Sequence, residues 1–539
     1  MNLPNGLELL DVHELTNKHQ NFTQPLTPNA SFKLRIPTVP ADLRGAYRQT
    51  TANFQWLIRY GIDNGLRMRA IGKNWSFTKV GVTNGGMIDA NALTTTFGLR
   101  TASIDPAYLA QGKLASNLFF TECGLTVHII EQMLEESKKS VRASGASNGQ
   151  TIVGAMSTGT HGAAFDFGAV QDTVLGIHLI CGPDRHVWLE RASNPVTKSN
   201  FTDNLGISEV LRDDDLFNAV LVSFGSFGFI HGVLLDVENL FWLKSYSVDS
   251  VPYTDALKKA MTRCDFSGIA DQFTPPLPAN SAPEKPYHFQ LMVNPHQFDL
   301  TGADKNQGAF VRILYKHTTK PDQAVPPPPK PDFIYGDDTL GLMQKVLDLL
   351  RPSQLVPFLV NQLYPAAKEQ TNGWVGTMMD FFPPTDIRGK AASAAIGMDS
   401  RDSPRVLEKI IELNKQSAFP GVLGLRWVKK TSATLGFTRF PITCVLELDG
   451  IESTLTNQFL ERVWNALEAE GIPYTMHWGK LNFGLTPNRL RQMYTDTSVD
   501  SWLKARHQLV DAPTRAVFTN EFMEKCGLNL GIAIDSPIA

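Results

Sequence analysis

The residues from Val141 to Ala164 (VRASGASNGQTIVGAMSTGTHGAA) carry five glycines, Gly145, Gly149, Gly154, Gly159 and Gly162, set among Ser, Thr and Ala. Glycine gives the backbone access to positive φ and lets a ligand approach the main chain closely. Successive backbone N–H groups in such turns form anion-binding nests, so this stretch can hold a pyrophosphate without a dedicated lysine. The spacing fits neither G-x-x-x-x-G-K-S/T nor G-x-G-x-x-G. The alternative is a plain Gly/Ser-rich connection between strands, but loops this long inside a domain are usually functional. A second candidate loop, Gly72-Lys73-Asn74-Trp75-Ser76-Phe77-Thr78, follows the strand-like run LRMRAIG and places small polar residues at a strand end.

The elements that must position these loops can be read from periodicity. Ala41–Gly65 has apolar residues at helical spacing (Leu43, Tyr47, Phe54, Leu57, Ile58, Ile62), with Asn64-Gly65 as its stop. Phe32–Pro37 and Met87–Leu93 are short strands, and Phe119–Ser137 reads as a strand, a turn at Gly124 and an amphipathic helix. His128 on that helix reads as a surface or core residue and is left out of the site. Val174–Cys181 and His186–Leu189 form a strand pair turned by Gly182-Pro183-Asp184. Leu221–Leu240 is a glycine-bearing segment, either a strand bend against another sheet or a ligand contact.

From about Phe241 strands and amphipathic helices alternate with proline-rich connections, as expected of a separate covering domain. Val325–Pro331 (VPPPPKP) is a polyproline II spacer in a polar loop. Gly341–Ala366 is apolar at helical spacing and broken by Pro352 and Pro357. It reads as core helices, with an apolar lid or a membrane-resting patch as the alternative. Val406–Gln416 is a helix and Gly424–Leu435 a strand.

Composition narrows the classes. The 539 residues suit two or three domains. A formal net charge of −3 with no cationic tract argues against a nucleic-acid partner. Five scattered cysteines without metal-ligand spacing read as free thiols of a reducing compartment. No signal peptide or transmembrane run is read, so the expectation is a cytoplasmic protein with no evident protein partner. Peripheral membrane contact through Gly341–Ala366 is the less favoured alternative.

The segment SGASNGQTIVGAMSTGTHGAA resembles the central flavin-binding segment of the vanillyl-alcohol oxidase family, the PCMH-type FAD enzymes. That family carries a pattern close to T-x-x-G-A-x-x-T-x-x-H-G around the FAD pyrophosphate. Thr151, Gly154, Ala155, Thr158, His161 and Gly162 match it in register, with Gly145 and Gly149 just upstream. By the same resemblance Gly72, Lys73, Asn74, Trp75, Ser76 and Phe77 are the first FAD loop, Gly225, Gly228 and Ile230 face the adenine and ribose side, and Asn520 belongs to the C-terminal return. The first loop departs from G-x-G-H-S. Trp75 stands where a histidine often carries the flavin covalently, and Asn74 stands where a glycine is usual. FAD is therefore expected to be bound non-covalently.

The resemblance implies an α+β protein with a two-subdomain FAD-binding fold and an α/β cap domain containing an antiparallel sheet. It divides as 1–240 for the FAD-binding part, 241–484 for the substrate cap and 485–539 for the C-terminal return. It leans toward aldonolactone, alditol and sterol oxidases. Their Glu-x-Arg strand is matched by Arg426 but has Gly424 at the glutamate position, and Met476–Lys480 resembles their His-Trp-Gly-Lys segment. A flavin supplies the redox step, and the protein supplies orientation and charge. Arg426 is the candidate to stabilise the substrate oxygen and Lys480 the flavin pyrimidine. His477, with an ordinary pKa of about 6.5, is the candidate for proton transfer, or else a structural imidazole. The implied activity is oxidation of a CH–OH group of a small-molecule alcohol. The alternatives are a non-redox flavoprotein of the same fold, or an oxidase of a large apolar alcohol at a membrane surface.

Overall fold

The computed structural model describes residues 2–39, 42–322, 325–326, 346, 348–349, 355–368, 371–384 and 390–530. Most of the polyproline run and much of 341–355 lie outside them. The architecture is α+β, built on three main sheets. A four-stranded sheet runs in the order Leu7–Leu10, Ser31–Leu34, Gly86–Asp89, Met68–Ile71, its last three strands parallel. Long helix Leu43–Asp63, N-capped by Asp42, covers it. Phe54, Leu57 and Ile58 of the helix pack between Phe32, Met68 and Ile88 of this sheet and Ile180 and Phe229 of the next. The 3.6-residue spacing of those apolar side chains is why the sequence makes a helix here.

The second sheet has Phe229–Asn239 and Val174–Ile180 side by side near its centre. Val174–Ile180 pairs antiparallel with His186–Glu190 across the 182–184 turn, as the turn residues require. The third sheet is antiparallel throughout: Val375–Gly376, Trp242–Val251, Ala309–His317, Lys285–Val293, Gly421–Lys429, Ile442–Ile451, Ala391–Asp399, Tyr474–Met476. Helices Ser403–Gln416 and Thr454–Ala469 lie against it. Helix Val356–Ala367 buries Val356, Val360 and Tyr364 into it while Phe358 stays 61% exposed. The part of the 341–366 stretch that is described is thus half core and half surface.

The C-terminal helices return to the beginning of the chain. Val517 and Phe518 join the core under helix Leu43–Asp63, where a side chain on Gly61 would collide with Val517. All five cysteines are free thiols. Among the described residues no helix is long and apolar enough to cross a membrane.

Candidate active site

The end of strand Met68–Ile71 delivers Gly72 against the start of the short helix Ile152–Thr158. A Cβ on Gly72 would stand 2.5 Å from Thr151 Oγ1, so glycine alone lets the two segments meet. Thr151 caps the helix, its Oγ1 accepting from the Gly154 amide at 3.3 Å. Asn74 turns the first loop with φ +56°. Asparagine tolerates this left-handed conformation better than most side chains, so the loop keeps a sharp turn without a glycine there. Trp75 packs on Gly149, where a Cβ would approach the indole to 2.7 Å.

Gly72 through Phe77, Thr151, Gly154, Ala155, Thr158, His161, Gly228 and Ile230 line one cleft of about 520 Å³, and Arg426, His477 and Lys480 line it too. Gly145, Gly149, Gly162 and Asn520 stand behind its walls. Gly145 donates its amide to Asn148 Oδ1 at 3.1 Å, and Gly162 is pressed against the Ser144 carbonyl. Asn520 caps helix Glu521–Cys526 and donates to the Val80 and Val82 carbonyls at 3.1 and 2.8 Å. Its amide therefore ties the C-terminal return to the backbone following the first loop.

Residues 400 positions apart meet because the 477–480 turn is bonded to that loop. The Phe77 amide donates to the Gly479 carbonyl at 2.8 Å, and Thr78 Oγ1 donates to the Trp478 carbonyl at 3.0 Å. Trp478 is buried, and its indole N–H donates to the Leu435 carbonyl at 2.7 Å, which fixes the turn.

The group that motif reading missed is Glu447. It lines the cleft, its side chain is 5% exposed, and Oε2 lies 2.9 Å from Arg426 Nη1 while Oε1 lies 4.0 Å from Lys480 Nζ. In the antiparallel register Glu447 sits directly across from Gly424. The carboxylate absent from the arginine's own strand is supplied by its neighbour, and a Cβ on Gly424 would come 3.6 Å from Glu447 Oε2. Burial resists ionisation of Glu447, but Arg426, Lys480 and His161 together hold its carboxyl below the ordinary range. Lys480 Nζ also donates to Ser393 Oγ at 2.7 Å, and that hydroxyl donates to Asp449. Burial, and then Glu447, raise the Asp449 carboxyl.

Two histidines face each other with ring centroids 5.7 Å apart. His161 Nδ1 lies 2.9 Å from the Gly162 carbonyl, which can only accept, so Nδ1 carries the proton and Nε2 a lone pair. His477 Nδ1 accepts the Gly479 N–H at 2.9 Å, so its proton sits on Nε2. Burial lowers His161 to about 4. Burial, His161 and Lys480 push His477 well below 6.5. Both rings are neutral at neutral pH, so His477 does not titrate near neutrality as its type alone suggests.

The residues fit a dinucleotide. Among the described residues the amides of Asn74, Trp75 and Ser76 have no protein acceptor, and they sit in the turn bent by Asn74, as an anion nest requires. Behind the wall at Gly225, buried Arg69 and Arg506 bond the Gly225 and Ser226 carbonyls and have no carboxylate partner among the described residues. Burial lowers both guanidiniums to about 9, and they remain cationic at neutral pH. This uncompensated charge favours an anion in the cleft. At the linkage position stands an indole, and burial and Glu122 raise the Cys123 thiol in the cleft wall, which leaves it unreactive.

No family model matches the chain. In sequence it is 26% identical over 208 residues to L-gulonolactone oxidase 3 of Arabidopsis thaliana, covering 38% of this chain and 30% of that protein. It is 27% identical over 122 residues to D-arabinono-1,4-lactone oxidase of Candida glabrata, covering 23% and 20%. These matches thus span less than a third of either relative's length. Whole-chain similarity appears in structure. Cholesterol oxidase from B. sterolicum aligns with a TM-score of 0.69 at 14% identity over 97% of this chain and 98% of that one. Xylooligosaccharide oxidase from Myceliophthora thermophila C1, in complex with xylobiose, aligns with a TM-score of 0.57 at 12% identity over 94% and 93%. Similarity over the whole architecture is thus structural, and the chain has the fold shared by cholesterol oxidase and xylooligosaccharide oxidase.

Proposed function

We propose that this protein is an FAD-dependent oxidoreductase that binds FAD non-covalently and oxidises a CH–OH group of an alcohol-type substrate. The observation that carries this reading is the Arg426–Glu447–Lys480 cluster beside two neutral imidazoles, at one end of a glycine-walled cleft. When bound, FAD supplies the acceptor for the two electrons. The chain's own groups do the rest. Arg426 spends Nη1 on Glu447, while its buried Nε has no protein partner among the described residues and is free to hold the substrate oxygen. Glu447 fixes the direction of that guanidinium and keeps Lys480 in place. His161 Nε2 offers the lone pair that takes the hydroxyl proton, and His477 Nε2–H is a donor to a neighbouring oxygen. A fixed cation beside a developing alkoxide in a buried site is the efficient form of such stabilisation.

Two measurements test this. Purified protein, mixed with FAD and desalted, should retain flavin absorbance; protein that retains none refutes the cofactor. Anaerobic titration with L-gulono-1,4-lactone, xylobiose and cholesterol should then bleach the flavin with at least one alcohol. Bound flavin that none of them bleaches supports a non-redox use of the fold.

A further inference from the structure

The N-terminal hairpin, strands Glu14–Thr16 and Thr23–Pro25, sends its tip over the first loop and across to the large sheet. Asn17 Nδ2 donates to the Ser76 carbonyl at 3.0 Å, the Lys18 amide to the Asn74 carbonyl at 2.9 Å, and Asn74 Nδ2 back to the Thr16 carbonyl at 2.8 Å. At the far side Asn21 Nδ2 donates to the Ala391 carbonyl and to Glu452 Oε2, at 2.8 and 2.7 Å. Between these anchors His19 enters the cleft wall. It is 3% exposed and stacks on Phe77 with centroids 4.0 Å apart and planes 9° apart. Phe77 also lies under Lys480, whose Nζ is 5.2 Å from the ring centroid, so His19 belongs to the catalytic end of the cleft.

The ring is held in one tautomer. It donates to the Trp75 backbone carbonyl, and Nδ1 is the nitrogen left buried without a partner. Burial, then Lys480 and Lys18, lower the imidazole to about 4, so no proton occupies Nδ1 at neutral pH. A buried acceptor without a donor is destabilising, and such atoms are rare in folded proteins. Five hydrogen bonds of the hairpin hold this one against the cleft, where a ligand can satisfy it.

We propose that His19 is a ligand-contacting residue whose Nδ1 accepts a hydrogen bond from an N–H or O–H group of the molecule bound at the Phe77–Lys480 end of the cleft. This rests on the cofactor and alcohol chemistry proposed above. The donor is either the cofactor or the alcohol, and the two are separable. His19→Phe keeps the stacking on Phe77 and removes the acceptor; His19→Asn keeps an acceptor near the Nδ1 position. Both are compared with wild type by FAD titration and by KM and kcat with the alcohol that bleaches the flavin best, after melting curves show that they fold.

One neutral hydrogen bond corresponds to about a three- to tenfold change in affinity. A rise of that size in the FAD dissociation constant of His19→Phe identifies the cofactor as donor; a rise confined to KM identifies the alcohol. His19→Asn is expected to return within about twofold of wild type. The inference is overturned if His19→Phe changes neither constant, or if His19→Asn is as damaging as His19→Phe, which would mean that the ring acts only through the Trp75 carbonyl. Wild-type protein that takes up no FAD overturns the functional proposal and this one together.

Discussion

Replacing Glu447 with glutamine removes one charge at nearly constant shape, and the surrounding distances set the expected cost. The carboxylate is 2.9 Å from Arg426 and 4.0 Å from Lys480, with side-chain exposures of 5%, 15% and 25% for Glu447, Arg426 and Lys480. Screening by water is therefore weak. Hydrogen bonds to charged groups contribute about 1.5–3 kcal/mol, and it is this anchoring of the Arg426 guanidinium that the substitution weakens. Glu447→Gln should slow anaerobic bleaching of the flavin by about one to two orders of magnitude through the misplaced guanidinium, while FAD stays bound, since the loops at Gly72 and Thr151 are untouched. The register permits a sharper version. Gly424 faces Glu447 across the strand pair, so Gly424→Glu combined with Glu447→Gly returns the carboxylate to the arginine's own strand. The double variant should regain at least about tenfold over Glu447→Gly alone, the value of roughly 1.4 kcal/mol of restored pairing. Stopped-flow absorbance reads both. Bleaching by Glu447→Gln within about threefold of wild type, less than the value of one hydrogen bond, would refute the role given to this carboxylate.

Lys480→Met should slow bleaching by about two to three orders of magnitude with FAD retained; an unchanged rate would make Lys480 an ordinary structural lysine. Acid precipitation of the holoprotein should leave a colourless pellet and a yellow supernatant, whereas colour that stays with the pellet contradicts non-covalent binding. Stability should fall as pH drops from 6.5 toward 4, because His161 and His19 titrate at about 4 in the fold and the unfolded chain takes up their protons first. Each contributes a slope of about 1.4 kcal/mol per pH unit. Denaturant melts at several pH values should show that slope reduced by one such step in His161→Gln, and an identical slope would count against a buried neutral His161.

What could be read in advance was whatever is local. Gly72, Thr151 and Gly154 mark a strand-end turn and a capped helix through fixed offsets, because each involves a few adjacent residues. Helix Leu43–Asp63 and the Val174–Ile180 to His186–Glu190 hairpin were legible for the same reason. Asn74 looked like a departure from a glycine pattern, yet its φ of +56° lies in the left-handed region that glycine favours. Asn520 read as a cofactor contact, but its amide is spent on backbone carbonyls behind the cleft. Nothing in the asparagine itself distinguishes these uses. His19 has no motif around it and reaches the cleft only through the path of the hairpin.

Glu447 was hidden for a different reason: its position depends on strand register, which links residues 424 and 447 only after the sheet is assembled. One signal was available. In Val445–Asp449 the acidic residues alternate with leucines, so two carboxylates share one face of a strand whose other face is core. Buried carboxylates persist only when paired or protonated, and the two here are pushed in opposite directions. Glu447 stays ionised against Arg426 and Lys480, while Asp449, raised by burial and by Glu447 itself, leans on the Ser393 hydroxyl. With both histidines neutral, two cations then face one firmly ionised carboxylate. Whenever Asp449 holds its proton, the pocket carries a net positive charge, and that excess favours an oxygen losing its proton at this end of the cleft.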